Sequence, residues 1–220
     1  MRVVVAGGHG KVGLRLTRLL GERGDEVVSL IRHAEEADDV REAGGSPVVC
    51  DLESATEEDV EAALGSSTDA VVFAAGAGSG SGPERKWTVD YGAAVKLSTA
   101  AEATGTARYV MLSSIGADPD REGDDAFAVY LRAKGRADAE IMASGLGYTI
   151  VRPTFMTDDP GTGRVRVAEH VSEDERVSRD DVAGVLAAVL HHPETAKAVF
   201  EVASGDVPIE EAVASVGSPA

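Results

Sequence analysis

One stretch near the start of the chain indicates the fold most directly: Val3-Val4-Val5-Ala6-Gly7-Gly8-His9-Gly10-Lys11-Val12-Gly13-Leu14-Arg15-Leu16. An apolar, β-branched run stands first, a glycine-rich turn follows, and a segment of helical period comes last. In this order Gly7 permits a tight turn, Gly10 lets the backbone approach an anion without a Cβ in the way, and Gly13 lets the helix pack closely on the strand. The free N–H groups at the start of the helix then face the anion.

A turn of this kind is typical of sites that bind the pyrophosphate of a nicotinamide dinucleotide. A flavin, a nucleotide sugar or a ligand that is not a nucleotide is the alternative that the turn alone leaves open. We expect the cofactor contacts in this stretch to come from Gly7, His9, Gly10, Lys11, Val12 and Gly13.

Short β-branched runs alternate with segments of helical period along the rest of the chain. The expected strands are residues 2–6, 26–31, 47–50, 70–74, 108–112 and 148–151, with 199–202 as a candidate seventh. Helical spacing of Leu, Val and Ala marks residues 14–20, 85–103, 126–143 and 180–190. The pattern predicts an α/β fold of the Rossmann type, with a doubly wound, mostly parallel sheet and helices on both faces.

We expect one dinucleotide-binding domain over residues 1–220, with a small substrate-side region from about residue 153 onward. Two Gly- and Pro-containing segments, 76–83 and 154–163, follow strands and read as loops. The first is either a mobile cover over the site or a plain connection. Loops at the carboxyl ends of the strands would shape the substrate cavity, because ligands bind at that edge of such sheets.

The chain is acidic, with a formal net charge of −17. Nucleic acids and acidic membrane surfaces are polyanions, so neither is an expected partner. No apolar run approaches the ~20 residues of a membrane helix. A strand-like run follows Met1 almost at once, so we expect no secretory signal and a cytoplasmic location. The acidity also suits a high-salt cytoplasm, where screening weakens self-repulsion.

Two basic side chains end the second expected strand. That strand runs into Arg32-His33, and no carboxylate appears before Glu35. An acidic residue at this point accepts from the 2′-hydroxyl of NAD(H), whereas an arginine pairs the 2′-phosphate of NADP(H). The pair Arg32 and His33 therefore favours NADP(H) over NAD(H), with Lys11 adding a second charge near the phosphates.

The chain contains one Tyr-x-x-x-Lys motif, Tyr130-Leu131-Arg132-Ala133-Lys134. On a helix the i and i+4 side chains share a face. A lysine ammonium beside a phenol stabilises the phenolate, which fits the tyrosine for proton transfer to a carbonyl or alcohol oxygen. Ser113 and Ser114 end the fifth expected strand and offer a hydroxyl for the same oxygen.

With these motifs the sequence resembles the short-chain dehydrogenase/reductase superfamily, and within it the atypical NAD(P)H-binding, NAD-dependent epimerase/dehydratase-like members. The resemblance covers nearly the whole chain. It implies that Asp51 and Leu52 border the adenine, and that Ala74, Ala75 and Gly76 border the adenosine ribose and pyrophosphate. It further implies the following roles: Tyr130 as acid/base, Lys134 on the nicotinamide ribose, Ser114 or else Ser113 on the reacting oxygen, and Pro153 and Phe155 beside the nicotinamide.

One residue departs from the superfamily's active-site pattern. Asp90 stands where the wider superfamily has an asparagine, and the atypical subgroup that the chain resembles also has an aspartate there. An ionised aspartate cannot donate a hydrogen bond as an amide does. Asp90 still counts among the expected cofactor-side residues. The region after Pro153 is also shorter than the substrate region of nucleotide-sugar epimerases, which disfavours a large sugar-nucleotide substrate.

The sequence thus predicts an NADP(H)-dependent oxidoreductase that transfers hydride between the nicotinamide and a small carbonyl or alcohol, with Ser114, Tyr130 and Lys134 as catalytic residues. Two alternatives stay open: a non-catalytic dinucleotide sensor, and an epimerase or isomerase that uses bound cofactor transiently. We assign no metal site, because adjacent His191 and His192 fit the negative end of a helix. Cys50, the single cysteine, reads as a buried thiol without a role.

Overall fold

A nine-stranded sheet runs through the centre of the protein in the computed structural model, which describes residues 1–78 and 80–217. The sheet contains β1 (Arg2–Ala6), β2 (Glu26–Ile31), β3 (Ser46–Val49), β4 (Ala70–Phe73), β5 (Arg108–Leu112), β6 (Gly147–Pro153), β8 (Arg164–Ala168), β10 (Ala198–Ser204) and β11 (Val207–Pro208). Two further strands, β7 (Phe155–Thr157) and β9 (Arg176–Ser178), form a separate parallel pair.

The strand order is β3-β2-β1-β4-β5-β6-β10-β8-β11, and β8 runs antiparallel to both of its neighbours, β10 and β11. Strand order reverses beside β1, which is where a doubly wound sheet opens a crevice for its ligand. This arrangement confirms the predicted Rossmann-type α/β fold.

Helices cover both faces of the sheet. They are α1 (Lys11–Glu22), α2 (Ala37–Glu42), α3 (Glu57–Leu64), α4 (Pro83–Arg85), α5 (Ala94–Ala103), α6 (Ala126–Ala143), α7 (Arg179–His191) and α8 (Ile209–Ala214). Short 3₁₀ segments occupy Ala34–Glu36 and Pro193–Thr195, and a π-helix occupies Lys86–Ala93. In the part of the chain described, no helix has the length and apolar character needed to span a bilayer.

The four residues that follow Arg2 in strand β1 are all apolar. Val3 and Val5 belong to a core shared with α1 and α7, whereas Val4 and Ala6 belong to the core on the opposite face, shared with α3, α5 and α6. All four residues have no exposed surface. A parallel strand covered on both faces has no solvated side on which polar residues would be favourable.

The first six expected strands are present in the structure, and the differences concern residues 85–103 and the region after residue 153. Residues 154–163 are not simply a loop, because β7 begins at Phe155 and pairs with β9. β8 also lies in the region with no expected strand. Its sequence, Arg-Val-Arg-Val-Ala, alternates polar and apolar residues, which is the pattern of a strand with one buried face.

Residues 85–103, expected to form one helix, are divided between the end of α4, the π-helix and α5. Each turn of a π-helix holds more residues than an α-turn, so side chains beyond it point in new directions. Here Lys86 and Asp90 are buried and face the carboxyl edge of the sheet. Single-turn π segments are frequent at functional sites.

Candidate functional site

Two adjoining cavities open along the carboxyl ends of the parallel strands. The β2-side cavity, about 270 Å³, is lined by the end of β2 and the residues after β3. The β5-side cavity, about 640 Å³, is lined by the end of β5 and by α6. Both share Gly10, Ala74, Ala75 and Gly76, so they form one continuous groove across the switch point of the sheet.

The glycine turn is shaped by close backbone packing. A Cβ on Gly7, which has φ +79°, would lie 2.7 Å from the backbone of Ala75. A Cβ on Gly13 would lie 2.2 Å from the carbonyl oxygen of Gly7, so this glycine lets α1 pack against the turn. Gly8 was not assigned from the sequence, yet its Cβ would lie 2.3 Å from the Cβ of Ser29 on β2. All three positions therefore require glycine.

The turn also fits a pyrophosphate. Helix α1 begins at Lys11 with no acidic residue in its first turn, and Gly10, Lys11 and Val12 line the β5-side cavity. Free N–H groups and the positive end of the helix therefore face the groove, where they would hold an anion. The residues present fit the group that the sequence predicts.

The end of β2 holds a cluster of basic and acidic groups. Arg32 is exposed and donates from Nε to Nε2 of His33 at 3.0 Å. Glu36 returns toward the strand and accepts on Oε2 from the backbone N–H of Arg32 at 3.0 Å and of His33 at 3.2 Å. Its Oε1 lies 3.4 Å from Nδ1 of His9. Arg32, Glu36 and His9 line the β2-side cavity, and His33 does not.

The remaining walls of the β2-side cavity come from the segment after β3. Asp51 and Leu52 line it as expected, and Cys50 and Glu53 do so as well. Cys50 is half-buried rather than buried, and burial raises the pKa of its thiol. Arg85 closes this side by an ion pair with Glu53 at 2.9 Å.

The β5-side cavity is built on helix α6, whose start is fixed by Asp125. That carboxylate accepts from the N–H groups of Phe127 and Ala128, each at 3.0 Å, which also lowers the pKa of Asp125. From there Tyr130 and Lys134 follow one turn apart, on one helix face. Both line the cavity.

Lys134 is held beneath the cavity by two oxygen atoms. Its Nζ donates to the carbonyl of Leu112 at 3.1 Å and lies 3.5 Å from Oδ1 of Asp90. Asp90 is 1% exposed and accepts on Oδ2 from the N–H of Ala77 at 3.3 Å. The aspartate that replaces the superfamily's asparagine is therefore the ion-pair partner of Lys134.

The two serines after β5 do not present free hydroxyl groups to the cavity. Ser113 is 2% exposed and donates to Oδ2 of Asp138 at 2.9 Å, the same oxygen that accepts from Arg152. Ser114 donates to the carbonyl of Ile115 at 3.1 Å and does not line the cavity. Burial raises the pKa of Asp138, although Arg152 opposes that effect.

Two cations on the wall of the β5-side cavity, Lys11 and Arg179, share one acidic partner. Asp158 accepts from Lys11 at 2.5 Å and from Arg179 at 2.9 Å, and the Lys11 hydrogen bond lowers the pKa of Asp158. Lys11 and Arg179 both line the β5-side cavity. The region after residue 153 thus contacts the glycine turn directly.

Most of the expected site residues meet in this groove. Those that do not line it are Gly13, His33, Ser114, Pro153 and Phe155. Phe155 is 64% exposed and lies under the Arg176 guanidinium at 4.8 Å from its ring centroid, whereas its neighbour Met156 lines the cavity. In a strand, successive side chains point to opposite faces, which explains why Met156 and not Phe155 lines the cavity.

The sequence reasoning missed several lining residues: Glu36, Glu53, Arg85, Lys86, Phe127, Met156 and Arg179. Lys86 had the clearest available signal. It is one of few lysines in an acidic chain, and it stands four residues before Asp90.

Similarity to known proteins extends over most of the chain. A family model described as NAD(P)H-binding matches residues 7–193. A protein of Bacillus subtilis described as an uncharacterized sugar epimerase is 36% identical, over 97% of this chain and 99% of its own length.

Two solved structures share the fold over almost the whole chain. A putative NAD-dependent epimerase/dehydratase from Bacillus halodurans is 40% identical with a TM-score of 0.89, over 97% of this chain and 98% of that one. An oxidoreductase from Lactococcus lactis is 27% identical with a TM-score of 0.84, over 98% of this chain and 96% of that one. The chain therefore belongs to the NAD(P)H-binding family of atypical short-chain dehydrogenases/reductases.

Proposed function

We propose that the protein is an NADP(H)-dependent oxidoreductase that transfers hydride between the nicotinamide and a small carbonyl or alcohol. One observation carries this proposal: Tyr130 and Lys134 line the same cavity as Gly10, Lys11 and Val12. A proton donor and the cofactor cradle therefore open onto one space. The Lactococcus lactis relative, described as an oxidoreductase, supports the same class of reaction.

In this proposal the side chains of the β5-side cavity have separate roles in the reaction. The bound nicotinamide would supply or accept the hydride. Tyr130 would donate a proton to the oxygen of a carbonyl substrate as negative charge develops there. Lys134, fixed by Leu112 and Asp90, would keep positive charge below that oxygen. Since Ser113 and Ser114 donate to protein oxygens, Tyr130 is the hydroxyl donor in this proposal.

The test is NADPH oxidation across a panel of aldehydes, ketones and quinones, with wild type and Tyr130→Phe side by side. Loss of a positioned acid lowers the rate by about 10²–10⁴-fold. We expect that loss in Tyr130→Phe while NADPH still binds. Equal turnover by the two proteins would remove Tyr130 from the mechanism.

A second candidate is a non-catalytic dinucleotide sensor, and one observation favours it: both serine hydroxyls are engaged by protein oxygens. A sensor needs the glycine turn but not Tyr130. Tight NADPH binding with no turnover on any substrate in the panel would support the sensor over the enzyme.

The proposed preference for NADP(H) rests on the hydrogen-bond partners of the Glu36 carboxylate. Its two oxygens are engaged by Arg32 and His33 backbone N–H groups and by His9, so the carboxylate is not free for a ribose hydroxyl. Among the described residues, the Arg32 guanidinium hydrogen-bonds to no side chain other than His33 and pairs with no carboxylate at ion-pair distance, so it can pair a 2′-phosphate. We also propose that the protein is cytoplasmic.

Affinities for NADPH and NADH, measured on wild type, Arg32→Ala and Arg41→Ala, test this preference. Arg41 is exposed, pairs with Asp38 and lies outside both cavities, so it is the control. We expect Arg32→Ala to weaken NADPH binding about tenfold or more and NADH binding much less. An equal loss for both cofactors would exclude a 2′-phosphate contact.

A further inference from the structure

Lys86 is a buried cation without a carboxylate partner. It is 7% exposed, and its Nζ donates to the carbonyl of Gly78 at 2.7 Å and lies 5.5 Å from the centroid of the Tyr130 ring. No Asp or Glu oxygen of the described residues lies within ion-pair distance of Nζ. A lysine that is mostly buried without a counter-charge favours an anionic partner. Its position on the wall of the β5-side cavity leaves one side open to a ligand.

The other cations of the same cavity are already paired. Lys134 faces Asp90, and both Lys11 and Arg179 bind Asp158. These cations and Lys86 line the cavity against one carboxylate, Asp90, in a chain whose formal net charge is −17. Lys11 and Arg179 share one carboxylate, and Lys86 is the cation of this cavity that pairs with none among the described residues.

We propose that the β5-side cavity binds a carboxylate through Lys86, so that the substrate is a small carbonyl compound carrying a carboxylate. The assignment of that ligand as a substrate rests on the proposed oxidoreductase function. Lys86 contacts the ring of Tyr130, so a carboxylate on its Nζ brings the rest of a small ligand to the proton donor. A single lysine is a compact point charge, and its one open side suits the single negative charge of a carboxylate.

Lys86 is not needed for the cofactor in this proposal. The pyrophosphate faces the start of α1, where Gly10, Lys11 and Val12 lie. Lys86→Met keeps the length of the buried stem and removes the charge. We therefore expect Lys86→Met to bind NADP⁺ as wild type does.

The experiment uses the NADP⁺-loaded protein and two matched pairs of probes: 4-formylbenzoate with its methyl ester, and pyruvate with methyl pyruvate. Calorimetry measures binding to wild type, Lys86→Met and Lys197→Met. Lys197 is the control because its Nζ also contacts a carbonyl, that of Ser144 at 3.2 Å, and a ring, that of Tyr148 at 4.6 Å, but on the exposed surface.

We expect wild type and Lys197→Met to bind at least one acid about tenfold or more tightly than its ester, and Lys86→Met to lose that ratio. A purely structural role for Lys86 would weaken acid and ester alike, and that result would overturn the proposal. So would the absence of acid binding to wild type, or a loss of NADP⁺ affinity with an unchanged ratio. Acid binding that depends on Lys86, without turnover of any probe with NADPH, would leave this site standing and count against the oxidoreductase function.

Discussion

At the scale of single residues, the glycine turn depends on two separate physical requirements. A positive φ strains any residue that has a Cβ, and close packing excludes the Cβ itself. Gly7 meets both conditions, whereas Gly24, with φ +87°, has no atom within 4 Å of the position that a Cβ would take. A comparison of Gly7 with Gly24 therefore distinguishes the cost of backbone strain from the cost of steric exclusion.

We predict that Gly24→Ala lowers the free energy of unfolding by about 1–2 kcal/mol, which is the cost of left-handed backbone for an L-residue. Gly7→Ala should lose more, because its Cβ would lie 2.7 Å from the Ala75 backbone. Urea unfolding measures both, and NADPH affinity should fall only in Gly7→Ala. Equal losses of stability would contradict the packing argument.

At the scale of the helix, α6 carries Tyr130, Lys134 and Asp138 at successive i+4 positions, so one face serves the cavity and the core beneath it. Asp138 has no exposed surface and accepts from Ser113, and from Nε and Nη2 of Arg152 at 2.9 and 2.8 Å. The carboxylate ties α6 to the ends of β5 and β6.

We predict that Asp138→Ala destabilises the protein by about 3–5 kcal/mol, since it leaves Arg152 without its counter-charge. Ser113→Ala removes one hydrogen bond from the same oxygen and should cost about 1 kcal/mol. Denaturant unfolding of the two variants makes the comparison. Similar losses would mean that the Arg152 pair contributes little to the stability of the helix packing.

At the scale of the whole molecule, the end of α7 is joined to α8 through His192. Its Nδ1 lies 2.6 Å from Glu194 and its Nε2 lies 3.2 Å from Glu210. The Glu194 hydrogen bond is the main cause of a raised pKa at His192, and Glu210 adds to it. Folding therefore favours the protonated imidazole.

The sign of the resulting pH dependence follows from linkage. A raised pKa in the folded state gives stability that is complete below the unfolded value of ~6.5 and is lost as pH rises through the folded pKa. We predict that the stability difference between wild type and His192→Gln is largest at pH 6 and shrinks toward pH 9. A difference that is constant with pH would show that protonation does not contribute.

The net charge of −17 bears on the whole molecule as well. Long-range repulsion among unmatched carboxylates opposes the compact state, and salt screens it. We predict that the free energy of unfolding rises from dilute buffer to molar KCl. Neutralising the exposed loop carboxylates in Asp120→Asn, Glu122→Gln and Asp124→Asn should reduce that rise. A stability that does not change with KCl would refute the argument.

The fold class and the NAD(P)H-binding family could be predicted from the sequence without any structure. Strand β1, the glycine turn and α1 are contiguous, so their apolar period and glycine spacing are readable without knowledge of distant contacts. The pair Tyr130 and Lys134 was readable for the same reason, because helical spacing fixes which residues share a face.

The partners of the side chains around that site required the three-dimensional fold. Ser113 meets Asp138, Asp90 meets Lys134, and Lys11 meets Asp158 across 147 positions of sequence. Ser113 follows β5 and Asp138 lies on α6, Asp90 lies in the π-helix, and Asp158 follows β7, a strand of the separate pair. The apolar periodicity of the sequence does not indicate such pairings, because the partners come from different helices, strands and loops. For that reason the charge of Lys86 on the cavity wall, and the engagement of both serine hydroxyls by protein oxygens, emerged only from the fold.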